Sequence, residues 1–140
     1  MVERETIDRR LAKLEELLRR LRRLAGTDRD TYLGSPELQA QAERWLHLAS
    51  ECCIDLAHHL IAARGWRTPN TYREAFEVLA SEGVLSAKLA QAMVAWAGLR
   101  NVLVHLCLDV DHEAVFGFLT QDLDQLEHFS VAVQRAADGE

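Results

Sequence analysis

Three polar side chains stand close together in an otherwise apolar stretch: Arg100, Asn101 and His105, within Gly98-Leu99-Arg100-Asn101-Val102-Leu103-Val104-His105. Asn101 and His105 are four positions apart, which on a helix places them on one face. Arg100 precedes His105 by five, so a straight helix turns it about 140° away, at 100° per residue. A long arginine can swing its guanidinium back toward that face, or a second subunit can complete the set. Together the three offer a fixed cation, an amide and a group that titrates near neutrality. Phosphodiester cleavage uses those parts: a group that takes or gives a proton, and a cation beside the negative charge that develops. The same residue types also suit a plain helix end, where the dipole favours cations and asparagine is a common terminal residue. Spacing alone does not decide between the two.

A second group lies upstream. Asp55 and His59 are four apart and can share a helix face as a carboxylate–imidazole pair, with His58 beside them and Glu51 one turn earlier. Glu51, Asp55 and His59 are also a possible divalent-metal set, although three such ligands at helical spacing arise easily by chance, and core or surface pairing explains them equally. Adjacent Cys52 and Cys53 cannot form a normal disulfide with each other and read as small core residues. Trp45, Trp66 and Trp96 can stack on bases, but aromatics on helical stripes usually belong to the core. His47, His112 and His128 are scattered and suggest nothing.

The elements that must hold these groups are helical throughout. Ile7, Leu11, Leu14, Leu18, Leu21 and Ala25 step by three and four, widened by Leu17 and Leu24 into a core-facing surface that Gly26 ends. Residues 27–33 read as a polar connection. Ser35-Pro36-Glu37 starts a helix of about 30 residues that runs to Gly65 and would span about 45 Å. Thr71-Tyr72-Arg73-Glu74 fits a capping box for a short helix ending near Gly83. Ser86 caps the helix that carries the Arg–Asn–His group, and Asp109-Val110-Asp111 opens a last helix with Val115, Leu119, Leu123, Leu126 and Phe129. No strand-like alternation or internal repeat interrupts this. The expected fold is therefore all-α: a single domain, a bundle of about five helices over 1–135, with a frayed tail at 136–140.

Composition narrows the setting. A chain of 140 residues buries enough surface for a core without metal or disulfide staples, and charges interrupt every apolar run before it reaches membrane-spanning length. The charged start does not resemble a signal peptide, and three cysteines without ligand-like spacing suit a reduced cytoplasm. The net charge of −6 seems to disfavour a nucleic-acid partner, yet residues 1–23 carry +3 and the remainder −9. A polyanion-facing strip and an ordinary solvated helix with local Glu–Arg pairs are the two readings of that segment.

Taken together these segments resemble the HepT-like subfamily of HEPN proteins, helical toxins of prokaryotic toxin–antitoxin pairs. The family signature places Arg100, Asn101 and His105 as they stand here. The segment Cys53-Ile54-Asp55-Leu56-Ala57-His58-His59-Leu60-Ile61 resembles its second-helix region. Pro69-Asn70-Thr71-Tyr72-Arg73-Glu74-Ala75-Phe76-Glu77-Val78-Leu79 resembles its middle turn and short helix, and Val110-Asp111 its step into the last helix.

The resemblance implies a metal-independent endoribonuclease without a cofactor, acting as a homodimer with the motif helices facing across a cleft. His105 would serve as general base or acid at the 2′-hydroxyl, Arg100 would hold the scissile phosphate, and Asn101 would orient His105 or bond the phosphate. The products would be a 2′,3′-cyclic phosphate and a 5′-hydroxyl. Asp55, with Glu51 and His59, would support the cleft. The implied partner is a minimal nucleotidyltransferase antitoxin of the MntA type, which in the family modifies a tyrosine two residues after the histidine; here that position is Cys107. Control by plain binding follows from this departure, or else a catalytically inactive interaction subunit that binds the nucleotidyltransferase.

Overall fold

The computed structural model describes residues 2–105 and 110–139, with side chains over 4–99 and 110–139. Seven helices run through the described residues: α1 (Val2–Ala25), α2 (Arg29–Leu33), α3 (Pro36–Arg64), α4 (Tyr72–Ser81), α5 (Ala87–His105), α6 (His112–Gln121) and α7 (Leu123–Ala137). The architecture is all-α, as the periodicity implies.

Local chemistry explains most of the boundaries. The Ser35 hydroxyl accepts from the Leu38 amide at 3.2 Å with Pro36 in the first turn, and Thr71 Oγ1 accepts from the Glu74 amide at 3.0 Å. The Ser86 hydroxyl accepts from the Leu89 amide at 3.1 Å and so opens the motif-bearing helix. Gly65 ends α3 with φ +68°, a left-handed conformation that lets the Trp66 amide reach back to the Ile61 carbonyl at 3.1 Å.

The count of about five helices needs correction to seven among the described residues. The connection at 27–33 contains α2, because Asp28 accepts from both the Thr31 amide and its hydroxyl, at 3.0 and 2.6 Å, and Tyr32 is wholly buried. The last helix is two. Asp122 leaves helical geometry at φ −116°, ψ 1°, while buried Val115, Leu119, Leu123, Leu126, Phe129 and Val133 continue the three–four stepping across the break. Periodicity reads straight through such a bend.

Packing places α1 and α3 side by side and antiparallel: Arg10 meets Asp55 and, ten residues on, Arg20 meets Trp45, ten residues back. Leu14, Leu17 and Leu21 of α1 join Leu46, Leu56 and Leu60 of α3 in the core, which Phe76 and Phe129 close with an edge-on ring contact at 5.8 Å. At the far end Arg4 donates to the Ala137 carbonyl at 2.6 Å and Arg64 to that of Ala136, so two cations meet the end of α7. Among the described residues no helix is long and apolar enough to cross a membrane.

Candidate active site

Positions 100–105 lie on the second half of α5. The backbone is helical there, so Asn101 and His105 share a face and Arg100 is turned about 140° from His105. The side chains of Arg100, Asn101 and His105 lie outside the described residues, and Cys107 does so entirely.

What fixes this helix is visible one turn earlier. Trp96 is 1% exposed, and its indole N–H donates to Oε1 of Gln125 on α7 at 3.0 Å. Its ring meets Phe118 of α6 edge-on at 5.0 Å, and its carbonyl accepts from the Ser50 hydroxyl of α3 at 3.4 Å. A buried indole with its donor satisfied fixes both the rotation and the height of the helix that bears it. Arg100 follows Trp96 by one turn, and Glu51 follows Ser50 directly, so the same contacts set the motif helix in register against the acidic face of α3.

On that face the expected supporting residues have different neighbours. Asp55 Oδ2 accepts from Arg10 Nε of α1 at 3.3 Å. Glu51 lies 3.6 Å from His47 Nε2, one turn earlier. The half-buried His59 makes no ion pair with Asp55, and His58 Nδ1 stands 3.1 Å from the Ile54 carbonyl. Arg10 has drawn the Asp55 carboxylate across the α1–α3 seam, which removes the anticipated Asp55–His59 pair. Among the described residues no group of three His, Cys, Asp or Glu side chains is placed to hold an ion. Cys53 is buried and Cys52 half-buried, and burial pushes both thiols up, for Cys52 with the Asp55 carboxylate adding and Arg10 and Lys13 opposing. Cys53 lies in the core and Cys52 packs against it.

Arg10, His47, Ser50 and Gln125 were not singled out by the sequence. The four-residue spacing of His47 and Glu51 was a usable signal. Arg10–Asp55, Ser50–Trp96 and Trp96–Gln125 join distant parts of the chain, and no local pattern announces them.

The charges of α1 divide between the two readings. Arg20 and Lys13 share Glu16, at 2.6 and 4.0 Å, and Arg4 reaches Asp8 at 3.0 Å, as local pairing requires. Arg22 crosses to Asp124 and Glu127 of α7 at 3.0 and 2.5 Å. Arg9, Arg19 and Arg23 are exposed and have no acidic partner among the described residues.

Comparison with known proteins bears on this arrangement. Residues 14–133 match the family model described as Ribonuclease HepT-like. The chain is 32% identical over 124 residues to the tRNA nuclease HepT of Aphanizomenon flos-aquae, covering 89% of this chain and 84% of that one. It is 24% identical over 125 residues to the mRNA nuclease HepT of Shewanella oneidensis, covering 89% and 93%. Among solved structures, a tri-AMPylated Shewanella oneidensis HEPN toxin in complex with MNT antitoxin superimposes with a TM-score of 0.85 at 23% identity, over 92% of this chain and 96% of that one. At that identity the likeness establishes the fold.

Proposed function

Since this chain belongs to the HepT-like ribonuclease family, we propose that it is the RNA-cleaving toxin of a toxin–antitoxin pair, a metal-independent endoribonuclease. The observation that carries this reading is the match over residues 14–133, a span that includes Arg100, Asn101 and His105 in the order of the family signature that the sequence resembles.

In this reading His105 removes the proton from the ribose 2′-hydroxyl or returns one to the leaving 5′-oxygen. Arg100 neutralises the phosphate as charge builds on its oxygens, and Asn101 holds the imidazole or the phosphate. The products are a 2′,3′-cyclic phosphate and a 5′-hydroxyl. A homodimer brings two motif helices together and solves the angular problem, because an arginine turned 140° from its own histidine can face that of the other copy. The partner that restrains the enzyme is a nucleotidyltransferase antitoxin, supported by the antitoxin complex of the Shewanella oneidensis relative. With Cys107 in place of the family's tyrosine, the hydroxyl that accepts AMP in the family is absent, and restraint proceeds by binding.

The test is induction of the wild-type, His105→Ala and Arg100→Ala proteins in cells, followed by RNA analysis. Wild type should arrest growth and fragment RNA, and the purified enzyme should keep its activity in EDTA. His105→Ala should lose about 10²–10⁴-fold in cleavage rate. Equal growth and equal RNA patterns for all three would sink the nuclease and leave an interaction subunit.

A further inference from the structure

We propose that the outward face of α1, together with Trp45 of α3, is a docking strip for single-stranded RNA; this rests on the reading of the chain as an RNA-cleaving enzyme. The core side of α1 is taken by Ile7, Leu11, Leu14, Leu18 and Leu21. The opposite side presents Arg9, Lys13, Arg19, Arg20 and Arg23, spread over about 21 Å at 1.5 Å per residue. The described acids of this helix are Glu5, Asp8, Glu15 and Glu16. Asp8 is engaged by Arg4, and Glu16 by Lys13 and Arg20. Arg9, Arg19 and Arg23 are left facing solvent, with only Glu5 and Glu15 to offset them.

Isolated surface cations can be mere solvation, so the second observation matters. The Arg20 guanidinium lies over the Trp45 ring, 5.6 Å from its centroid, and that ring is only half-buried. An indole flanked by an arginine plane is a stacking platform for an unpaired base. Cations strung along a line with a ring beside them suit a chain that alternates phosphates and bases. An acidic protein surface would use the cations and leave the ring idle.

Direction comes from the antiparallel packing. Trp45 lies beside Arg20 and Asp55 beside Arg10, so the strip runs along the α1–α3 seam with the ring at its Arg20 end.

The test uses a fluorescein-labelled single-stranded oligoribonucleotide of mixed sequence and His105→Ala protein, so that the probe stays intact. Binding is followed by anisotropy across a salt series, with circular dichroism to confirm folding. Adding Arg9→Gln, Arg19→Gln and Arg23→Gln breaks no ion pair among the described residues. These changes should weaken binding at least tenfold at low salt. The slope of log affinity against log salt should become shallower by about 0.7 for each phosphate left without its arginine, about 2 for all three. Trp45→Leu should weaken binding with the slope unchanged. In the His105-intact enzyme the triple variant should raise KM and leave kcat within about twofold. Unchanged affinity and slope in the triple variant overturn the strip, as does failure of the His105→Ala protein to bind the probe. Loss of nucleotidyltransferase binding with RNA affinity intact overturns it in favour of a protein interface. Failure of the nuclease reading itself is seen separately, as a wild-type protein that leaves the same RNA uncut.

Discussion

Tyr32 is a buried side chain that ties part of the stability to pH. It is 0% exposed, its ring lies 5.1 Å from that of Phe116, and among the described residues its hydroxyl has no hydrogen-bond partner. Burial pushes its phenol up to about 12, with the Glu43 carboxylate adding to the effect. An unfolded tyrosine titrates near pH 10, so the folded state holds the proton more tightly and stability is undiminished below that pH. It is then lost as pH rises from about 10 toward 12, by roughly 2–3 kcal/mol at two pH units of difference. Tyr32→Phe should abolish this alkaline loss. At neutral pH the same change should alter stability by no more than about 1 kcal/mol, because an unpartnered buried hydroxyl contributes little. Urea unfolding of both proteins at neutral and strongly alkaline pH checks the pair; an identical alkaline decline would show that another group carries it.

At the scale of elements, the two helices that the sequence merged into one start differently. Asp111 Oδ1 accepts from the amides of Glu113 and Ala114, both at 3.1 Å, and so caps α6. Asp122 precedes α7 and makes no side-chain cap, and burial pushes its carboxyl up. Asp111→Ala should therefore cost about 1 kcal/mol, or roughly 2–4 °C of melting temperature. Asp122 behaves oppositely: its raised folded pKa favours the protonated form, a contribution present below the ordinary carboxylate pKa and lost as pH rises from there through the higher folded value. Asp122→Asn should be neutral or slightly stabilising at pH 7 and without benefit in acid, which thermal melts at both pH values will show. The same contrast explains what was legible. Ser35, Thr71, Ser86 and Asp111 carry their caps within three residues, so four helix starts could be read directly. The break at Asp122 has no cap, and the buried residues from Val115 to Val133 keep helical spacing through it. The short α2 hid in a polar stretch because its one buried residue, Tyr32, gives no periodicity.

The candidate site divides in the same way at the scale of the whole molecule. Arg100, Asn101 and His105 could be proposed from the sequence because they stand within six residues of one another on one helix and fit the family signature. Arg10 beside Asp55 and Gln125 beside Trp96 could not, since those contacts exist only once α1, α3, α5 and α7 are packed. Net charge was the least informative quantity: a chain of −6 overall leaves Arg9, Arg19 and Arg23 without an ion pair among the described residues, while Arg4, Arg10 and Arg22 are spent on holding the fold. The remaining question at this scale is whether one copy of the chain makes one site. If Arg100 of one protomer works with His105 of the other, Arg100→Ala and His105→Ala homodimers are each inactive at both sites. A mixed dimer then keeps one site with both residues intact and one with neither. Random exchange makes half the dimers mixed, so subunit exchange between the two inactive proteins should restore about a quarter of wild-type cleavage for a two-fold symmetric pair. A site built within a single protomer restores nothing, because every copy in the mixture lacks one of the two residues. Co-refolding the two variants and measuring cleavage against the unmixed proteins separates these outcomes, and full inactivity of a verified mixed dimer would remove the shared cleft from the mechanism.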